Sequence, residues 1–152
     1  NHKIITVMGG NTRFQSVRNG LNSISDQEGL VAVHDGVRPF ISKEIIENSF
    51  LVAGQKGSAV VAVDSKDSVR LMKNEKNRAV DRNTVKLIQT PQTFDFGLLK
   101  KPFLTDEKPF FTDDASVVEY FGHEIFLVEG DYRNIKITTP EDILIGETFL
   151  RM

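Results

Sequence analysis

The stretch Leu30–Ser42, LVAVHDGVRPFIS, decides the fold. Its first four residues, Leu30-Val31-Ala32-Val33, form a short apolar run of the length and composition of a strand buried on both faces. The run halts at His34-Asp35-Gly36, Arg38-Pro39 follows, and Ser42 is placed to cap a helix. In an open α/β sheet, ligands bind beyond the carboxyl ends of the strands. Asp35 therefore stands where a carboxylate would meet a ligand, with bare backbone at Gly36 and a cation at Arg38. Taken alone, the stretch serves equally well as an acidic turn beside a surface arginine.

On its N-terminal side, Lys3–Met8 (KIITVM) reads as a strand running into a tight Gly9-Gly10 turn. Phe14, Val17, Leu21 and Ile24 fall at helical spacing and predict a helix from about Thr12 to Ser25, with Asp26–Gly29 as the loop. On its C-terminal side, Ile45, Ile46, Phe50 and Leu51 mark the expected buried face of the next helix. Gly57 ends that helix, and Ser58–Val63 (SAVVAV) is a third apolar strand. Strands alternating with helices predict an α/β fold with a mostly parallel sheet.

Beyond Val63 the pattern changes. Ser68–Met72 and Arg78–Val80 are short and β-prone, and Lys73–Asn77 between them forms a polar tip. A two-stranded ribbon is marginal alone in water, so this arm, about residues 64–83, is expected to lean on another surface, a second subunit being one candidate. Lys86–Gln89 predicts a strand closed by Thr90-Pro91. Asp95–Lys100 predicts a short helix and Lys101–Phe111 a loop. Thr112 is expected to cap a helix reaching Phe121, with Asp113 and Asp114 serving the positive end of its dipole, and Gly122 stops it. Ile125–Glu129 and Ile135–Ile137 read as strands. Thr139-Pro140-Glu141-Asp142 then supplies a cap, a proline at the first helical position and two acids for a last helix.

The 152 residues suit one domain with a core of its own. A formal net charge of −2 with acids and bases intermixed offers no basic footprint for nucleic acid. No apolar run reaches membrane-spanning length and no signal peptide opens the chain, so a cytoplasmic location is expected. The absence of cysteine removes disulfides, thiol nucleophiles and thiolate metal sites. The three histidines, His2, His34 and His123, lack metal-ligand spacing.

Polar clusters sit at the ends of elements: Gly9–Arg13, His34-Asp35, Asp81–Asn83, Gln89–Gln92 and Arg133–Lys136. Jointly they supply bare backbone, two or three cations and a carboxylate, the equipment for holding phosphates and a metal ion. No nucleophile triad, carboxylate pair or P-loop is present, which leaves hydrolase readings unsupported.

Six motifs in order carry a family resemblance over nearly the whole chain. They are VxGGxxRxxSVxNGL at Val7–Leu21, VHDGVRPF at Val33–Phe40, VDRN at Val80–Asn83, QTPQTF at Gln89–Phe94, TDDASVVEYFG at Thr112–Gly122 and LVEGDYRNIKITTPED at Leu127–Asp142. The sequence resembles the 2-C-methyl-D-erythritol 4-phosphate cytidylyltransferases of the non-mevalonate isoprenoid pathway. The resemblance implies a Rossmann-like nucleotidyltransferase domain over residues 1–152. It implies transfer of CMP from CTP to the methylerythritol phosphate, aided by Mg2+, with release of pyrophosphate.

It further implies that Gly10, Asn11 and Ser16 recognise cytosine. Asp35, with Gly36 beside it, contacts ligand hydroxyls near the metal and phosphates. Thr90, Arg82 and Lys136 hold the acceptor phosphate, and Thr112 also belongs to the substrate site. Ser68 stands on an arm that crosses to a partner subunit, which implies a homodimer with composite sites. Asp64 replaces the proline common at its position. The family's opening segment, with its glycine-rich loop and two cations, is not in the chain. The sequence is accordingly expected to be a C-terminal two-thirds, with the first strands missing from the fold and little turnover of its own. Ribitol-5-phosphate cytidylyltransferase shares most of these motifs and is the alternative enzyme. A cytidine-nucleotide-binding or dimerising module without turnover is the alternative of another class.

Overall fold

The structure, a computed structural model, describes residues 4–25 and 28–151. His2, Lys3 and Asp26 lie outside the described residues. Helix α1 spans Arg13–Asn22, capped by the Thr12 side chain, which accepts from the Gln15 N–H. Strand β1 is Leu30–Val33. Helix α2, Lys43–Lys56, starts on a Ser42 cap and ends at Gly57, whose φ of 85° is the left-handed conformation that glycine adopts without cost. Strand β2 follows at Ser58–Asp64. Strands β3 (Val69–Lys73) and β4 (Lys76–Val80) make the arm, and β5 runs from Lys86 to Asp95. Short helix α3 is Phe96–Lys100, α4 is Asp114–Tyr120, β6 is Leu127–Glu129 and α5 is Pro140–Leu150.

The main sheet has the order β1-β5-β2-β6. β1 and β2 are each antiparallel to β5, and β2 is parallel to β6. Three strands therefore run in one direction, as an α/β reading expects, and β5 runs against them between β1 and β2. Period-2 alternation sends β2 side chains to opposite faces. On one face Val60 joins Phe14, Leu21, Phe94, Leu99, Phe103, Val117 and Val118. On the other, Ala59 and Val61 meet Ala53 and Val128 under α2.

Several local expectations give way to tertiary context. Ile4–Met8 forms no strand and is exposed, Ile4 almost completely. It pairs with no strand among the described residues, and β-propensity without a ladder does not make a strand. β1 is half-buried, with Leu30 exposed, because β5 covers only one of its edges. The buried seam of α2 runs through Ser49 and Ala53, with Ile45 and Val52 beside it. Leu51 is 61% exposed. The arm's tip is tighter than Lys73–Asn77: Lys73 pairs with Lys76, and Asn74 takes a φ of 55° in a two-residue turn.

Pro91 does not stop its strand. β5 continues to Asp95 through a cis Thr90-Pro91 bond, and its register against β2 shifts between Val60↔Gln92 and Ala62↔Ile88. Proline is tolerated at such a bulge because its missing N–H costs no ladder bond there. α4 is capped by Asp113 in a box with Ser116, not by Thr112, whose N–H donates to the Ser116 hydroxyl. Ile135–Ile137 is not a strand, though the Ile137 N–H donates to the Val37 carbonyl at 2.9 Å. The last helix starts as expected, in a Thr139–Asp142 capping box.

Candidate active site

The β5 bulge sits beside the carboxyl end of β1, and that juxtaposition builds the site. The Asp35 N–H donates to Thr90 Oγ1 at 3.0 Å, and the same oxygen lies 2.9 Å from His34 Nδ1. His34 Nε2 is 3.0 Å from the Arg38 carbonyl, which can only accept, so that nitrogen carries the ring proton. Nδ1 is then the acceptor, and the Thr90 hydroxyl donates to it while accepting from Asp35. These bonds lock the turn between β1 and Arg38.

Three cations converge on the Asp35 carboxylate. Lys136 Nζ is 3.1 Å from Oδ2, Arg13 Nε is 3.4 Å from Oδ1 and Arg38 Nε is 3.5 Å from Oδ2. Burial works against the Asp35 charge, but Lys136 and then Arg13 more than offset it and hold the carboxyl below its ordinary range. Lys136 hangs on a loop anchored by Asn134, which is fully buried. Its Nδ2 donates to the Thr90 carbonyl at 2.8 Å and to Gln89 Oε1 at 3.2 Å. Arg38 reaches across to the Asn134 carbonyl at 2.8 Å. A cleft of about 280 Å³ opens over this cluster, lined by Arg13, Asp35, Arg38, Thr90, Thr112 and Lys136 among others.

Arg13 has a second partner. Its two terminal nitrogens donate to the two oxygens of Asp114, at 2.8 and 2.6 Å. Asp114 is fully buried, and burial pushes its carboxyl upward against the pull of Arg13. Beside it, Gln92 donates to Asp113 at 2.9 Å and accepts from the Ala115 N–H. Asp114 is an acid of the first turn of α4, as the sequence predicts, and is also the arginine's partner, whereas Asp113 lies one position earlier as the cap. The signal was present in the doubled acid, because only one of two adjacent carboxylates can cap a helix.

The Gly10 turn forms separately at the start of α1. The Gly10 N–H donates to Ser16 Oγ at 2.9 Å and the Asn11 N–H to Gln15 Oε1 at 3.0 Å. A Cβ on Gly10 would lie 2.2 Å from Gln15 Cβ, so only glycine fits. Asp35, Thr90, Thr112 and Lys136 thus come together in one cleft, with Gly36 in the turn that follows Asp35. Gly10 and Asn11 form a neighbouring exposed turn, with half-buried Ser16 bonded to it from α1. Ser68 and Arg82 do not line the cleft: both are exposed, and Arg82 donates to the Lys66 carbonyl at 3.0 Å.

The profile of the 2-C-methyl-D-erythritol 4-phosphate cytidylyltransferase family matches residues 1–152. The chain belongs to this family. The enzyme of that name from Bacteroides fragilis is 47% identical over 142 residues, 93% of this chain and 64% of that protein. The one from Phocaeicola vulgatus is 46% identical over the same extent. The chain spans about 64% of the length of these curated relatives. The crystal structure titled 4-diphosphocytidyl-2C-methyl-D-erythritol synthase from Anaerococcus prevotii superimposes with a TM-score of 0.86 at 34% identity. It covers 95% of this chain and 68% of that one.

The family's chemistry raises the question of a divalent metal, and the surroundings of Asp35 do not fit one. Both its oxygens already face guanidinium or ammonium groups. Among the described residues no three His, Asp or Glu side chains gather as ligands. Nor is any described helix long and apolar enough to cross a membrane.

Proposed function

We propose that the protein containing this chain transfers CMP from CTP to 2-C-methyl-D-erythritol 4-phosphate. An oxygen of the acceptor phosphate attacks the α-phosphorus of CTP, and the bond to the bridging oxygen breaks as pyrophosphate leaves with its electron pair. The observation that carries this reading is the ring of Arg13, Arg38 and Lys136 around Asp35, closed underneath by Thr90. Phosphoryl transfer is catalysed mainly by positioning and by neutralising charge, and such a ring supplies both. Lys136 is half exposed, so it can leave Asp35 for an incoming phosphate. Asp35, freed of that contact, accepts from ligand hydroxyls, and Thr112 closes the rim. Magnesium would arrive on the triphosphate oxygens rather than in a protein cage.

The Gly10, Asn11 and Ser16 turn reads cytosine through its backbone and hydroxyl groups. Ser68 and Arg82 act from the arm on the cleft of a second subunit, which makes the enzyme a homodimer with composite sites. The slight, exposed two-stranded arm supports that arrangement. A pyrophosphate-release assay with CTP, magnesium and the methylerythritol phosphate tests the reading. Lys136→Ala should lower turnover roughly 100- to 1,000-fold, about 3–4 kcal/mol of barrier. Unchanged turnover would remove Lys136 and the cation ring from the mechanism. Mixing Arg82→Ala subunits with Asp35→Ala subunits should restore part of the activity, because one site in each mixed dimer keeps both residues. Mixed dimers as inactive as either parent would end the arm-exchange arrangement.

A further inference from the structure

Arg13 stands between two carboxylates and treats them unequally. Asp114, the first residue of α4, takes both terminal nitrogens of the guanidinium at 2.8 and 2.6 Å. Asp35 receives only the Nε–H, at 3.4 Å. A fork-on-fork pair is the strongest arrangement open to an arginine, and a carboxylate buried without one is costly. Asp114 has no solvent exposure, whereas Asp35 retains some and has Lys136 and Arg38 as well. The competition for the fork therefore falls to Asp114.

Loss of the Asp114 charge would change that outcome. Asn offers one acceptor oxygen, so the guanidinium would keep at most half its grip on α4. The free terminal N–H groups would have Asp35 as the nearest anion. Asp35, clamped by an arginine fork in addition to Lys136 and Arg38, would lose the lone pairs that a ligand hydroxyl needs. From this geometry we infer that Asp114 is a positioning residue that parks the Arg13 fork and so keeps the Asp35 carboxylate open to ligand. The inference rests on the reading of Asp35 as a ligand contact, and it goes further by assigning a task to a buried acid that touches no substrate.

The test uses the protein that contains this chain and begins without ligand. Carbon-detected NMR titration of the Asp35 carboxyl should show it titrating lower in Asp114→Asn than in the parent, because the Arg13 fork turns onto it. An unchanged or higher titration overturns the inference whatever the enzyme's substrate. CTP affinity by calorimetry should then fall roughly tenfold in Asp114→Asn, the loss of about one hydrogen bond to a charged group. In an Arg13→Gln background the Asp114→Asn change should leave the Asp35 titration where Arg13→Gln alone puts it, because no fork remains to turn onto Asp35. A shift as large there as in the parent background would show that the fork is not its cause and overturn the inference. A shifted titration with unchanged CTP affinity overturns instead the assignment of Asp35 to the ligand. Where Asp114→Asn fails to fold, Arg13→Lys replaces it. The single ammonium should settle on buried Asp114, and Asp35 should titrate higher than in the parent. A lower titration would show that the cation prefers Asp35, and the parking role would be lost.

Discussion

The Asp35 cleft and the β3–β4 arm lie at opposite extremes of constraint in the same chain. In the cleft, β1, the β5 bulge, α1, α4 and the loop before α5 are joined through Asp35, Thr90, Asp114 and Asn134, each of which bonds to residues of other elements. The arm is held mainly by its own ladder, with Leu71 and Met72 exposed and Arg70 bonded to its neighbour Asn77 across the strands. Prepositioned charge needs a rigid surround, since a loose carboxylate would collapse on the nearest cation. The arm has the reverse, an apolar surface at Leu71 and Met72 left uncovered, as its proposed seat on a second subunit requires.

The sharpest way to break the comparison is Asn134→Ala. Its amide satisfies Gln89 and Thr90 from a fully buried position, so its removal leaves two acceptors unpaired and frees the Lys136 loop. Denaturant unfolding should show a loss of about 2–4 kcal/mol, the cost of breaking a buried network. A loss no larger than that of an exposed residue would make the cleft as loosely built as the arm.

Acid should act on the cleft next. Asp35 titrates below its ordinary range in the folded chain, so its charge contributes stability that is fully present above about pH 4 and is lost as pH falls through the folded value. Asp35→Asn lacks that contribution at every pH. Unfolding curves at neutral and acid pH should therefore converge for parent and variant as acid is added, the parent losing more. A gap that widens on acidification would mean that the carboxylate is not stabilised by its three cations.

The smallest effect belongs to the arm. Met72→Ser should change the stability of the isolated subunit by no more than about 0.5 kcal/mol, as expected for an exposed position. In sedimentation the same change should weaken self-association. A dimer that survives Met72→Ser and Leu71→Ser together would show that the arm is not the interface.

Local signals suffice at Ser42 and Thr139, which cap helices because each carries its acceptor within reach of the next turn's N–H groups, but not at α4, where the cap is Asp113 and not Thr112. The Gly10 turn, the arm and the end of β1 are legible for the same reason, and so is the place of Asp35 just beyond that strand end. Thr90 and Lys136 join the same cleft by the family's motifs alone, since they lie 55 and 101 positions beyond Asp35 in the chain.

What depended on contacts across the chain was decided only by the packed structure. Pro91 reads locally as a strand end, yet it lies within β5 because a bulge absorbs its missing donor. Leu51 reads as core, yet the groove under α2 admits Ser49 and Ala53 instead. Ile4–Met8 reads as a strand, but pairing needs an edge that local sequence cannot supply. Asp114 reads as a dipole acid until α1 is packed against α4 and presents it with a guanidinium. A side chain's intrinsic preference is worth tenths of a kcal/mol, whereas burial of a charge or loss of a hydrogen bond is worth several. Where the two disagree, the tertiary contact wins.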